Sequence, residues 1–212
     1  VARSFFPSPE TADPTGLVAI SAKMDPLLLL DAYWNGLFPW SNDPVAWYSP
    51  DPRAVFFPEK VHISRRLRRV MRQGHFSLTC DTAFRQVMQC CAENRSEMGT
   101  WITPTFTEAY TQLHQQGHAH SIEVWQENQL VGGIYGVQVG RLFCGESMFH
   151  RVPHASNIAF ANLIDHREIF DIACVDAQVL NAHTAALGAI AIPRKQYLNL
   201  LHSLREQPCR YR

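Results

Sequence analysis

Beyond residue 60 the apolar positions of the chain fall into two spacings that take turns. In 82–92, Phe84, Val87, Met88 and Cys91 recur three and four residues apart, the pattern of a helix that buries one face. Helices are also predicted over 64–71 with Ser64 as cap, over 105–116, over 155–170, over a short segment closed by Gly188, and over 193–204. Between them 76–79, 121–126, 129–137, 141–145 and 173–179 read as strands, and the pair Glu127-Asn128 joins two of them as a hairpin. Ahead of residue 60 no such order exists. Nine prolines punctuate residues 1–58, and only 26–35 reads as a helix, with Asp25 as N-cap, Pro26 in the first turn and Gly36 at its end. The pattern therefore predicts an α+β chain with a small irregular N-terminal lobe, 1–58, and a mixed α/β domain, 59–212.

Composition narrows the class. Of 212 residues, 46% are apolar and 18% charged, enough to build a sizeable core and too apolar for a disordered chain. Lys and Arg number 19 and so do Asp and Glu, so nucleic acid would have to be met by a local patch rather than a global field. The longest apolar runs, 26–30 and 187–193, fall far short of the roughly 20 residues that cross a bilayer. No membrane contact is expected. Val1-Ala2-Arg3-Ser4 has no apolar stretch behind it, so no secretory leader is read there. Cys80, Cys90, Cys91, Cys144, Cys174 and Cys209 show no paired spacing, which suits thiols in a reducing cytoplasm. His114, His118 and His120 invite a metal reading, but Gly117 interrupts the helix that would align them and no carboxylate or thiol falls in register. They are read as polar residues at a helix end and on a strand, with no metal and no cofactor.

Four features could carry chemistry. On a helix capped by Ser64, Arg65, Arg69 and Arg72 share one face while Leu67, Val70 and Met71 take the other, and no acid neutralises the Arg stripe. Either it is a solvated face or it binds phosphates, which guanidinium groups grip bidentately. Gly132, Gly133 and Gly136 interrupt a strand and predict a bulge or a close backbone approach. Glu146, next to Gly145 at the end of an apolar strand, requires a partner if it is buried. Asp176 and Gln178 lie two apart on a strand, so both leave one face, either as a solvent edge or as a hydrogen-bonding pair lining a cleft.

These features occur within a longer ordered set. Phe6-Pro7-Ser8-Pro9-Glu10, Gly36-Leu37-Phe38-Pro39-Trp40, Trp47 to Arg53, Gly99-Thr100-Trp101-Ile102, Gly117 to Trp125, Leu130 to Val137, Gly145 to Phe149 and Asp176 to His183 follow one another in a spacing that resembles the leucyl/phenylalanyl-tRNA–protein transferases. The resemblance runs from Phe6 to about Leu201. It implies a C-terminal domain of the acetyltransferase type and the transfer of Leu, Phe or Met from aminoacyl-tRNA to the N-terminal Arg or Lys of a protein, marking that protein for degradation. It implies tRNA contacts at Arg65, Arg69 and Arg72, with Gln73 where a fourth basic residue is usual. It implies aromatic contacts to the terminal adenosine and aminoacyl end from Trp40 and Trp101, and a side-chain pocket of Ile134, Phe143, Met148, Leu163 and Val175. The reaction centre would be Glu146, Asp176 and Gln178, in a cytoplasmic monomer.

The chemistry asks little of a base. The donor is an activated ester and the acceptor an α-amine with an ordinary pKa of roughly 7.7–8.0, part of it neutral at pH 7. Orientation and charge stabilisation then carry the rate. An amide oxygen is a very weak proton acceptor, so Gln178 is expected to position the amine or carbonyl. Asp176 would orient Gln178, and Glu146 would bind or orient the cationic N-terminus. Departures from the family pattern fall at Asn157, where a Lys is usual, at Ser21-Ala22-Lys23-Met24-Asp25, and after Arg212, where many members continue. Two other readings are a relative that uses aminoacyl-tRNA with a different amine or only binds tRNA, and an acyl-CoA N-acetyltransferase. The latter requires a pyrophosphate-gripping loop at a helix N-terminus, and no such string follows Gly145.

Overall fold

The computed structural model describes residues 4–41, 43–94 and 100–207. Gly99 and Cys209 lie outside the described residues. The chain folds as α+β, with a three-stranded sheet in the N-terminal lobe and a seven-stranded mixed sheet behind it. The small sheet holds β1 (Leu17–Ser21), β2 (Phe38–Pro39) and β3 (Val45–Tyr48) in the order β1-β3-β2, and α1 (Pro26–Trp34) packs beside it. Asp25 caps α1 by accepting from the Leu28 N–H at 2.9 Å, as its place before Pro26 predicts.

The large sheet contains β4 (Arg53–Phe56), β5 (Ser77–Cys80), β6 (Ala119–Gln126), β7 (Gln129–Val139), β8 (Leu142–His150), β9 (Cys174–Gln178) and β10 (Ile190–Ile192). Its order is β10-β4-β9-β8-β7-β6-β5. All neighbours are antiparallel except β8 and β9. Strand β4 precedes Pro58 and yet sits inside this sheet, so we place the junction of the two lobes between Tyr48 and Arg53 rather than at Pro58. The five strands missed in the sequence, β1 to β4 and β10, are two to five residues long, too short to show a period.

Helices cover both faces. On one side α1, α3 (Phe84–Glu93), α4 (Pro104–Gln115) and α7 (Arg194–Arg205) enclose a core with Leu29, Tyr33, Val87, Leu113, Tyr135, Val137 and Leu201. On the other, α5 (Ala155–Asp165) lays Ile158, Ala159 and Leu163 against Ile122, Ile134 and Val175, and α2 (Arg65–Arg72) adds Leu67. α5 stops at Asp165 rather than 170, and β8 runs on to His150 rather than ending at 145. The hairpin turn is as the sequence predicts, with Glu127 and Asn128 at φ 50° and 62°.

The glycines of β7 set up the site. A Cβ on Gly132 would lie 2.5 Å from the Ala155 side chain, so α5 approaches this strand closely only because Gly132 has none. At Gly136 a Cβ would meet the Cys144 carbonyl at 2.2 Å. Here the register slips: Gly136 faces Gly145, while Tyr135 faces Ser147. Glu146 is the extra residue of a bulge on β8. Its neighbour β9 pairs with β8 only through Leu142, Phe143 and Cys144, so beyond Cys144 the two parallel strands part and open a cleft.

Candidate active site

The cleft holds a cavity of about 350 Å³, within the range of small-ligand sites. Its apolar wall is Phe56, Ile134, Met148, Phe160, Val175 and Leu187; its polar wall includes Glu146, Asp176, Gln178 and Asn181; Trp40 and Trp101 line it as well. Trp40 is 43% exposed and is fixed by an edge contact to Tyr48 and a tilted one to Phe38, with ring centroids 5.5 and 5.8 Å away. Of the side-chain pocket expected from the sequence, Ile134, Met148 and Val175 line this cavity. Phe143 and Leu163 do not; they are buried and border a separate void of about 10 Å³ beside Ile122 and Ile172. Phe56 and Phe160 occupy the wall instead, their rings 4.8 Å apart.

Asp176 is fully buried, which excludes the solvent-edge reading. Its Oδ1 accepts from Arg53 Nε at 2.9 Å and from the Gln178 N–H at 2.8 Å; its Oδ2 accepts from Arg53 Nη2 at 2.6 Å and from the Tyr197 hydroxyl at 2.8 Å. Arg53, also fully buried, donates to the Gly36 carbonyl at 3.2 Å and lies between the rings of Phe38 and Tyr197, 4.7 and 4.4 Å from their centroids. The charge of Asp176 raises the Arg53 pKa further above its ordinary value although burial opposes it. Tyr197 is held neutral by burial, with the Asp176 charge acting in the same sense. Asp176 and Gln178 both line the cavity, and Gln178 has a φ of +63°. The chain turns there, so Gln178 hands its N–H to Asp176 and its side chain to Glu146.

Glu146 has the partners its position demands. Its Oε1 accepts from Gln178 Nε2 at 2.6 Å and its Oε2 from the Tyr110 hydroxyl at 3.1 Å. Tyr110 in turn lies 2.6 Å from the Tyr33 hydroxyl, and both tyrosines are buried. Since the single Tyr110 proton points to Glu146, Tyr33 donates to Tyr110. Removal from water pushes the Glu146 carboxyl up to about 7, against the lowering effect of its hydrogen bonds. Burial and the nearby Glu146 charge raise both tyrosines well above the ordinary range.

The remaining expectations are placed elsewhere. Arg65, Arg69 and Arg72 are exposed on α2, whose Leu67 turns inward, and the Ser64 hydroxyl caps the helix by accepting from the Leu67 N–H. Arg68, off the centre of that stripe, forms a two-pronged ion pair with Asp165 of α5. A carboxylate does stand beside the histidines: Asp81 lies 2.7 Å from His120 Nδ1 and 3.7 Å from His114 Nδ1. His114 also reaches the Ala119 carbonyl and stacks on Phe84, a structural role. Among the described residues no cluster of His, Cys, Asp or Glu is built to hold a metal, and no helix is long and apolar enough to cross a membrane.

Sequence reasoning missed Arg53, Tyr33, Tyr110 and Tyr197. The three tyrosines sit at apolar positions of helices, where periodicity registers the ring and not the hydroxyl. Arg53 closes the Trp47–Arg53 string but shows no sign of burial.

Solved structures similar in fold include the C-terminal domain of a putative lysylphosphatidylglycerol synthetase from Agrobacterium fabrum, at TM-score 0.48 and 10% identity over 82% of this chain and 65% of that one. An aminoglycoside acetyltransferase from an uncultured soil sample overlaps 54% of this chain and 84% of its own at TM-score 0.43 and 14% identity. Sequence similarity is far higher. A leucyl/phenylalanyl-tRNA–protein transferase from Edwardsiella ictaluri (strain 93-146) is 52% identical over 95% of this chain and 85% of its own length. Those of Shewanella baltica (strain OS223) and Escherichia coli O1:K1 / APEC are 50% and 52% identical over 96% and 94% of this chain, and over 88% and 87% of their own. The leucyl/phenylalanyl-tRNA protein transferase profile matches residues 55–202 and its N-terminal domain profile residues 22–51, so this chain belongs to the leucyl/phenylalanyl-tRNA–protein transferase family.

Proposed function

We propose that the chain is an aminoacyltransferase that moves Leu, Phe or Met from aminoacyl-tRNA to the N-terminal Arg or Lys of acceptor proteins, in the cytoplasm, and so marks them for degradation. The observation that carries this reading is the cavity between β8 and β9. One wall is apolar and large enough for an aliphatic or aromatic side chain, the other presents a linked set of polar groups, and two tryptophans line the same cleft. A side chain seated between Phe56, Ile134, Met148, Phe160 and Val175 puts the ester carbonyl toward Gln178 and Glu146. Trp40 and Trp101 offer faces on which the terminal adenosine can stack. The exposed stripe of Arg65, Arg69 and Arg72 suits the phosphates of the tRNA body. Cys90, Cys144 and Cys174 form no disulfide, in keeping with a reducing compartment.

In the reaction the amine nitrogen attacks the ester carbonyl carbon, the C–N bond forms, and the bond to the 3′ oxygen breaks. Arg53 and Tyr197 fix Asp176; Asp176 holds the Gln178 backbone; Glu146 holds the Gln178 amide nitrogen. Gln178 keeps its carbonyl oxygen for the cavity, an acceptor for an amine N–H, and one further amide N–H. The gain comes from preorganisation, since none of these groups has to be recruited as charge develops. The test is a filter assay with labelled Phe-tRNA and a protein beginning with Arg, run beside acetyl-CoA as donor. Label from Phe-tRNA alone is expected. Acetyl transfer, or retention of tRNA with no transfer, would overturn the assignment.

A further inference from the structure

Two carboxylates face the cavity, and their surroundings divide the work between them. Every Asp176 oxygen already accepts two hydrogen bonds, two of the four from the buried Arg53 guanidinium. No lone pair is left for a substrate proton. Glu146 accepts one bond at each oxygen, from Gln178 and from Tyr110, and is part-exposed to the cavity. It is also held from behind, because the buried Tyr33 hydroxyl donates into Tyr110. Given the aminoacyl transfer proposed above, we infer that Glu146 takes the proton from the attacking amine and delivers it to the leaving 3′ oxygen, and that Tyr110 and Tyr33 are positioning residues for this carboxylate.

The step balances without another reactant. The neutral amine's lone pair forms the N–C bond; one N–H proton passes to the Glu146 carboxylate. The C–O bond breaks with its electron pair on the 3′ oxygen, which then receives that proton. Glu146 ends as it began. Its elevated pKa, about 7, matches such a shuttle, because the carboxyl can both gain and lose a proton near neutral pH. Two carboxylates in one cleft with unlike surroundings is the general arrangement by which a site separates a fixed charge from a titrating one.

The groups around Glu146 identify the controls. Tyr33 reaches it from α1, Tyr110 from α4, and Asp176 with Gln178 from β9. Arg53 of β4 and Tyr197 of α7 act on it through Asp176, and Cys144 lies on its own strand, its thiol kept neutral by burial. His183 of α6 (Ala182–Ala186) lines the same cavity, its Nε2 3.3 Å from the Met148 sulfur.

The experiment is the pH profile of single-turnover Phe transfer with Phe-tRNA and acceptor saturating, for the parent, Glu146→Gln, Tyr110→Phe, Tyr33→Phe and His183→Gln. Glu146→Gln should lower the saturated rate about 10²-fold or more with the acceptor KM and Phe-tRNA binding little changed. Tyr110→Phe and Tyr33→Phe each remove a hydroxyl that favours the ionised carboxyl, and each should move the acid limb up by about one pH unit. His183→Gln should leave the limb in place. A Glu146→Gln variant that raises the acceptor KM at an unchanged saturated rate would make Glu146 a binding group and overturn the inference. So would tyrosine variants that lose rate equally at every pH, or a limb that moves with His183→Gln. A parent that transfers no Phe would instead sink the function itself.

Discussion

Arg53→Met exposes how the buried ion pair is built. The methionine keeps a long apolar side chain between Phe38 and Tyr197 but removes the guanidinium paired with the Asp176 carboxylate, which is wholly buried. Breaking such a pair from one side costs about 3–5 kcal/mol, because the remaining charge has lost its partner in a medium that solvates it poorly. Asp176→Asn strands Arg53 in the same way and should cost a similar amount. The double variant leaves no charge behind. Replacing both partners of a buried pair is commonly near neutral, so its cost should fall well below the sum of the singles, with a coupling of a few kcal/mol. Urea unfolding measures this: with a slope of roughly 3 kcal/mol per molar for a chain of this size, each single variant should lower the midpoint by about 1 M or more. Single losses under about 1 kcal/mol, or singles that simply add in the double variant, would refute the reasoning.

Three further outcomes follow from other parts of the molecule. Charge reversal at Arg65, Arg69 and Arg72 should weaken aminoacyl-tRNA binding and flatten its dependence on salt, whereas reversal at Arg66 should matter less; equal losses in a binding titration would end the one-face account. The Glu146 pKa is raised by the fold from the ordinary 4.5 to about 7, so the protonated form is the stabilised one. Stability from this group is then full below pH 4.5 and is lost as the pH rises through 7, by at most about 3 kcal/mol, and Glu146→Gln should remove that part of the decline in unfolding measured from pH 5 to 8. Gly136→Ala places a methyl against the Cys144 carbonyl and should cost about 1–3 kcal/mol or more, read as a lower Tm; an unchanged Tm would mean the bulge tolerates a side chain.

What the sequence makes legible here follows from which physics is periodic. The helices from α2 onward announce themselves by their apolar spacing, and Asp25, Ser64 and the Glu127-Asn128 turn by local hydrogen bonding or backbone preference. The one-face Arg stripe is equally local, and α2 presents it as the spacing predicts. Glu146 is marked by its mismatch with its neighbours, but its partners are not, because Tyr33 and Tyr110 are 77 residues apart and meet only through packing. Arg53 and Asp176 are 123 apart. The positive φ at Gln178, where its N–H turns onto Asp176, has no neighbouring Gly or Pro to give notice of it. Phe143 stands on the strand that carries Glu146 and Met148 but borders a separate void instead of the cavity, a difference that strand pattern does not encode.

If the cavity between β8 and β9 holds an apolar aminoacyl group while its polar wall transfers it, varying the donor must change the outcome. Mass spectrometry of a protein beginning with Arg, after incubation with the chain and one charged tRNA at a time, reads the answer at the acceptor N-terminus. Phe, Leu and Met donors should each extend that terminus by one residue, and an Asp donor should leave it unmodified, because the wall of Phe56, Ile134, Met148, Phe160 and Val175 offers an acidic side chain no partner. Extension by Asp as efficient as by Phe, or no extension by any donor, would contradict it.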